Sequence, residues 1–597
     1  MAKILNFIQN RVPFSISYEY LNMLEQARLE GKDPIAPKIG AGGLVAAELP
    51  LLHKDSPFDV NMIGVSMGNA EMDVLKGYFA DTIKHFNDKW NLQSPFIRLT
   101  KEEDVTEHTK KKLKLEFDEI KYSQELIFMD ESLKEGYYKN FANEFLWPLM
   151  HLTDEKLYET AYKKYPKPMI SDTGYRSYTA TNQIFAEAML KNRLKNNDEI
   201  EQGGEIFDWA HDYHLMLFPM YYRKLLNDND IDACPETNNQ HHIGTFWHIP
   251  FFNMNTVRNI LSEDEKINLN RKKFDPSAKS MKDIVRELTY GMLGSHSIAF
   301  HHSDYVNNFA EAVDELHPTV SVKNGQYGSK IVKHPLGSTV LTAYTIGIPF
   351  DEIAGKTGKG MTTYIDEGNL EDLIANDKKQ NKMICVGLER FDYTKGIPYK
   401  LKIMDELTKI TDAKLYQATQ PSRKDIPAYQ NLEISSQQSI DDINKEYGKT
   451  DKPIIRLPKG VAPPENYELL RQGDAIMVTT EEDGCNVVVM EAIAAKASLP
   501  EEKRGFLALG HSGISRVLSD AGFGERDGVS YMSMKDPEQD AHRIKQMHES
   551  KQYISDRLVN FTREYLNSAK WSTKCLETMQ YKQSQPNAAE EYLRNMK

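Results

Sequence analysis

A chain of 597 residues with 40% hydrophobic and 27% charged side chains is too long for one hydrophobic core, and its balance is that of an ordinary globular protein with at least two domains. Its 74 basic and 87 acidic side chains leave a net charge of −13, which speaks against a nucleic-acid partner or an anionic membrane surface. Cys234, Cys385, Cys485 and Cys575 form no C-x-x-C pair, and neither a signal-peptide run nor a stretch of about 18 apolar residues occurs, so a cytoplasmic protein without disulfides, structural zinc or a membrane span is expected.

Short apolar runs alternate with longer helical patterns along the chain, which is the rhythm of α/β layers with parallel sheets. In the first half the runs at 3–9, 60–64, 96–99, 205–210, 243–248 and 297–302 read as strands. Strands at 383–388, 414–419, 454–457, 475–479 and 505–509 follow in the second half, and 216–226 and 486–496 are helical patterns between them. Two such series predict two doubly wound domains, one at 1–365 and one at 366–565. The boundary is expected within Glu352–Gln380, where Gly355, Gly358, Gly360 and a polar run read as an exposed connection. The charged stretch 101–135 reads as a solvated helical insertion without chemistry. A helical, polar tail at 566–597 is expected to pack back on the first domain.

Candidate chemistry clusters where strands end, which is where ligands bind to sheets of this kind. In VGLERFDYTKG (Val386–Gly396), Arg390 offers a planar fork and Lys395 a point charge to a phosphorylated ligand. In TTEEDGCNVVVMEAIAAKA (Thr479–Ala497), Gly484 allows a tight turn and Asp483 or Asn486 can cap the next helix. Free N–H groups at that helix start suit hydroxyls or phosphate oxygens, and Glu491 faces apolar neighbours, where a carboxylate must be paired or hold ligand hydroxyls. In DWAHDYHLMLFP (Asp208–Pro219), the spacing of His211, Asp212 and His214 fits no metal site, and Asp212 reads as an acid/base or hydroxyl-binding group. His248 ends a buried strand before Pro250. Arg11 and Arg423 are further cations after strands, Tyr138 and Trp147 are aromatics of either core or ligand type, and Gly42 and Gly43 form a loop whose backbone can approach a phosphate.

Together and in this order, these segments resemble the trehalose-6-phosphate synthase family of retaining glucosyltransferases. HDYHLMLFP and ERFDYTKG are the most specific matches. The resemblance implies the GT-B fold, two Rossmann-like doubly wound domains with the active site in the interdomain cleft. It implies transfer of glucose from a nucleotide sugar, UDP-glucose, to glucose 6-phosphate, without a metal or other cofactor; a homo-oligomer is compatible with it. By the same resemblance Arg390 and Lys395 neutralise the donor diphosphate. Asp483 with Gly484, Asn486, Val487 and Val488 cradles the donor sugar, Glu491 holds the ribose, and Gly42 and Gly43 form a loop near the donor. Asp212 and His248 position the reacting sugars, while Arg11, Tyr138, Trp147 and Arg423 contact the acceptor.

Three positions depart from the family pattern. Val65 follows Gly64 where the family usually has Trp, Asn253 stands where Pro is frequent, and Cys485 where Met is frequent. The first keeps another phosphorylated acceptor, such as glycerol 3-phosphate, as an alternative, and a non-catalytic regulatory member is a second. A D-x-D-x-T phosphatase motif does not occur, so the product is expected to leave still phosphorylated.

Overall fold

The computed structural model describes residues 3–12, 18–31, 43–53, 55–65, 81, 97–100, 109–117, 120–153, 171–233, 239–271, 279–423, 426–447, 451–457, 461, 463–580 and 585–596. The chain divides into two compact units. The first comprises Met1–Leu152, Lys167–Ala343 and Ser572–Gln585, and the second comprises Thr153–Pro166, Tyr344–Trp571 and Pro586–Lys597.

The first unit is built on β1 (Lys3–Arg11), β2 (Asp59–Val65), β3 (Ile97–Thr100), β4 (Thr109–Phe117), β5 (Ile120–Ile127), β6 (Glu205–His211), β7 (His241–Trp247), β8 (Ser297–Phe300), β9 (Ser321–Asn324), β10 (Lys330–His334) and β11 (Gly337–Ala343). They form one sheet in the order β3-β4-β5-β2-β1-β6-β7-β8-β11-β10-β9. The central strands run parallel, with β1 paired to β2 on one side and β6 on the other. Ile4, Leu5, Phe7 and Ile8 of β1 are all buried, so the strand is covered on both faces, and the one polar residue among them, Asn6, is satisfied by donating to Asp208 at 2.7 Å. Burying each such side chain contributes about 1.5–3 kcal/mol. Because the chain order reverses at β1, the carboxyl ends of β1 and β6 open a crevice at the switch point.

Within 101–135 the described residues are mainly strand, and only Glu131–Glu135 at its end are helical. Residues 101–108 and 118–119 lie outside the described residues, and β4 and β5 occupy most of the remainder as an antiparallel pair. Lys112-Leu113-Lys114-Leu115-Glu116 alternates polar and apolar with period two, which a pleated strand can satisfy and a helix cannot. Leu126 and Ile127 are fully buried in β5, which pairs parallel to β2.

In the second unit, Glu352–Gln380 is folded rather than a bare connection. It contains most of the helix Phe350–Gly355, the short hairpin β12 (Tyr364–Ile365) and β13 (Gly368–Asn369), and the helix Leu370–Lys379. Phe350 is buried, and Arg563 Nε donates to Asp351 at 3.0 Å, so the chain from Tyr344 onward is tied into this unit. Strands β14 (Met383–Arg390), β15 (Ala413–Gln420), β16 (Ile454–Leu457), β17 (Ala475–Val478), β18 (Phe506–Leu509) and β19 (Val529–Tyr531) form an all-parallel sheet ordered β16-β15-β14-β17-β18-β19. That is the Rossmann order 3-2-1-4-5-6, with its switch point between the first and fourth strands, here β14 and β17. Cys385, Leu401, Met404, Leu415, Phe506 and Ile544 pack its core.

The tail is helical over Asp556–Tyr565, Ser568–Met579 and Ala588–Asn595. Its middle helix serves the first unit, where a Cβ at Gly244 of β7 would stand 2.6 Å from Met579 Cγ and Gln580 donates to Glu205 at 3.0 Å. Its last helix serves the second, where Tyr592 stacks on Phe523 at 5.5 Å. Among the described residues no helix is long and apolar enough to cross a membrane. Cys385, Cys485 and Cys575 are buried free thiols, and Cys234 lies outside the described residues.

Candidate functional site

In the first unit, Arg11 ends β1 and is exposed, and its Nη2 donates to Tyr138 Oη at 3.0 Å. The guanidinium also lies 5.4 Å from the Tyr138 ring centre, and the ring's stacking on His214 at 5.8 Å and 8° holds that platform in place. Tyr138 belongs to a wide-turned π-helix, Glu135–Leu146, that continues directly into Trp147. Trp147 is buried against His151 at 4.5 Å and Tyr213 at 5.6 Å.

Asp212 follows β6 with φ 73° and ψ 173°, a conformation essentially reserved for glycine. Its backbone is fixed there by a bond from its N–H to Phe246 O at 2.9 Å, and its carboxylate lies 3.9 Å from His214 Nδ1. His248 follows β7, and its Nε2 stands 3.0 Å from His211 Nδ1. Burial pushes His211 down to about 3, while burial together with His211 and His301 pushes His248 well below the ordinary histidine range. Both imidazoles are therefore neutral near pH 7, one donating and one accepting in the shared bond. That makes His248 a hydrogen-bonding group rather than a cation.

In the second unit, Arg390 stands exposed at the end of β14 and Lys395 ends the short turn Tyr393–Lys395. Between them Asp392 is fully buried. Arg423 Nη1 donates to Asp392 Oδ2 at 2.7 Å, and its guanidinium lies 5.2 Å from the Tyr429 ring. Burial alone would raise the Asp392 carboxyl, but Arg423, Arg390 and Lys395 hold it below the usual carboxylate range. Lys395 is ion-paired with Asp483 across the switch point, and Glu481 N–H donates to Thr394 O at 2.9 Å, so the two loops are laced together. Arg390, Lys395 and Arg423 against the two carboxylates of Asp392 and Asp483 leave a net positive rim at the carboxyl ends of β14 and β15.

The helix Val488–Lys496 begins beside this rim. It has no side-chain cap: Val487 is its N-cap residue, so neither Asp483 nor Asn486 caps it as expected. Asn486 instead adopts φ 72°, which turns the chain into the helix and leaves the first N–H groups without a side-chain acceptor. Of eight non-glycine residues with positive φ among those described, Asp212, Arg423 and Asn486 are three. Such strain persists where the surrounding structure holds a residue for function.

Burial pushes Glu491 up to about 7, and among the described residues it forms no ion pair. The unfolded carboxyl titrates near 4.5, so folding favours the protonated form; the associated stability is present below pH 4.5 and lost as pH rises to 7. Glu491→Gln is therefore expected to match the parent in unfolding free energy at pH 4 and to exceed it by about 2–3 kcal/mol at pH 8 without ligand. Chemical denaturation at the two pH values checks this, and an equal difference at both would refute it.

The structure thus brings Arg11, Tyr138, Trp147, Asp212 and His248 to one sheet's switch region in the first unit. It gathers Arg390, Lys395, Arg423, Asp483, Gly484, Asn486, Val487, Val488 and Glu491 in the second. Gly42 lies outside the described residues, and Gly43 heads the helix Gly43–Leu52. Sequence reasoning passed over Asp392 and the hydrogen bond of His211 to His248. For Asp392 a signal existed, an acid within three residues of two cations at a strand end. Among the described residues no three His, Cys, Asp or Glu side chains gather as a metal-binding group.

The family model for glycosyltransferase family 20 matches residues 67–268 and 282–524. An alpha,alpha-trehalose-phosphate synthase (UDP-forming) of Aspergillus niger is 27% identical over 409 residues, which covers 67% of this chain and 65% of that protein. A second, from Aspergillus fumigatus, is 28% identical over 418 residues, covering 68% and 72%. The matched region thus spans about two thirds of the length of these curated relatives. In fold, the chain is similar to a Burkholderia xenovorans alpha,alpha-trehalose-phosphate synthase solved with glucose-6-phosphate, with TM-score 0.65, 17% identity and coverage of 96% and 100%. It is similar also to an E. coli trehalose-6-phosphate enzyme bound with UDP-2-fluoro glucose, with TM-score 0.64, 18% identity and coverage of 97% and 99%.

Proposed function

The chain belongs to glycosyltransferase family 20, and from that premise we propose that it moves glucose from UDP-glucose to the anomeric hydroxyl of glucose 6-phosphate, with retention, giving trehalose 6-phosphate and UDP. The observation that carries this reading is the cation set Arg390, Lys395 and Arg423, held around buried Asp392 at a Rossmann switch point. Leaving-group departure develops negative charge on the diphosphate, and preorganised cations stabilise it without reorganising.

In this reading Lys395 exchanges Asp483 for the diphosphate when the donor binds. Asp483 is then released toward the hydroxyls of the transferred hexose, beside the N–H groups from Gly484 to Val488. Glu491, partly ionised at neutral pH, accepts the ribose hydroxyls. Asp212 and neutral His248 orient the reacting sugars. Arg11 and Tyr138 receive the acceptor's phosphate and sugar ring with Trp147. In this reading the reaction runs in the cytoplasm.

Two measurements test this. Released UDP and product NMR are followed with UDP-glucose and a panel of phosphorylated acceptors. Turnover is expected with glucose 6-phosphate; preference for glycerol 3-phosphate would move the assignment to that acceptor, the reading favoured by Val65 after Gly64. Absence of UDP release with every acceptor would leave a non-catalytic role. In addition, Arg11→Ala removes a charged contact to the acceptor and is expected to raise the KM for glucose 6-phosphate about 10- to 100-fold with the donor KM unchanged. Equal changes in both constants would refute a role confined to the acceptor.

A further inference from the structure

Apart from the phosphate cations, the second unit holds a cavity of about 430 Å³ between the β12–β13 hairpin, β16 and the helix Pro427–Tyr447. That volume lies in the range of about 300–1,000 Å³ in which small molecules are bound. The hairpin is built to stand there: Glu465 accepts from the backbone N–H groups of Thr362 at 2.7 Å and Thr363 at 3.2 Å, which pins its base. Tyr364, 77% exposed, lines the cavity from the first strand of the hairpin beside that base, while Ile440 and Ile454 form an apolar floor. The ring thus stands in water beside a concave, partly apolar surface.

The charges of the lining select the ligand. Its two cations are already engaged, Lys452 with Glu367 at 2.7 Å and Arg456 with Glu433 at 2.6 Å, and Arg456 is also held over the Phe391 ring at 4.9 Å. Three carboxylates line the cavity, Asp366, Glu367 and Asp441, against those two cations. A phosphate would meet an excess of negative charge in this lining. Hydroxyl donors, by contrast, suit the carboxylates of Asp366 and Asp441, the latter keeping lone pairs beyond the one bond it accepts from Gln437, and the apolar face of a pyranose suits the ring of Tyr364. We propose that this cavity is a second ligand site, which binds a neutral polyhydroxylated molecule of disaccharide size with Tyr364 as its stacking platform. It stands independently of the reaction assigned above.

The test is calorimetric titration of the full-length chain with trehalose, maltose and sucrose as probes. Saturable binding of at least one is expected, weakened about tenfold by Tyr364→Ala and by Asp441→Ala, and unchanged by Arg11→Ala in the first unit. Both altered cavity residues are exposed, so the variants are expected to keep the parent's far-ultraviolet dichroism; Tyr364→Phe, which keeps the ring, should retain binding. Absence of saturable binding for all three sugars, or binding indifferent to Tyr364→Ala, overturns the proposal. Trehalose 6-phosphate binding that falls equally in Tyr364→Ala would overturn its restriction to neutral ligands.

Discussion

Lys395→Ala and Arg390→Ala are each expected to lower kcat about 10²- to 10³-fold, the cost of removing one preorganised electrostatic contact to a developing anion, about 2.7–4 kcal/mol. The two variants should not be equivalent. Arg390 is exposed at the end of β14, so its loss removes one contact and little else. Lys395 is 14% exposed and paired with an equally sheltered Asp483, so its removal also leaves a carboxylate beside the position where the diphosphate gains charge. Restoring neutrality should recover part of the loss: Lys395→Ala combined with Asp483→Asn is expected to bind the donor better than Lys395→Ala alone, although the hexose contact proposed for Asp483 would be forfeited. Steady-state kinetics with a donor titration resolve these terms, and the deviation from additivity measures the coupling of the pair. Near-normal turnover in both single variants would remove the diphosphate role.

Gly396→Ala is expected to destabilise the second unit by about 3–5 kcal/mol, as large losses follow when backbone strain and a steric conflict coincide. Gly396 has φ 63°, and a Cβ on it would run into the carbonyl oxygen of Thr479 at the end of β17. The neighbouring bonds leave no room to retreat, because Thr479 Oγ1 donates to Gly396 O at 3.3 Å and Lys395 on the other side is paired with Asp483. Gly358 supplies the control: its φ is 82°, but nothing lies within 4 Å of its would-be Cβ. Gly358→Ala should cost only the left-handed conformation, about 1–2 kcal/mol. Denaturation midpoints of the two variants separate backbone strain from close approach, and equal losses would show that the approach to Thr479 is immaterial.

Much of the site was legible before any coordinates because its residues sit where local signals change. Arg390 ends an apolar run, Gly396 precedes a helix, and Asp212 follows a strand, and each can be located by reading neighbours alone. The stretch 101–135 was misread for the opposite reason: its charge density suggested a helix, while the alternation Lys112 to Glu116 that marks β4 is short and easily outweighed. The cap expected from Asp483 or Asn486 failed because Asp483 is taken by Lys395, 88 residues earlier in the chain.

By itself, the amino-acid order determined the α/β class, the strand-end positions of the cations and acids, and the glycine that the turn before Ile397 requires. Those features depend on side-chain periodicity and on backbone freedom at single residues, both of which are local. Only the tertiary structure decided that Arg423 would clamp Asp392, that His211 would face His248, and that Lys395 would meet Asp483. Each of these pairs joins the ends of different strands, and which strands lie side by side follows from how whole layers pack, a choice that no short window of sequence contains.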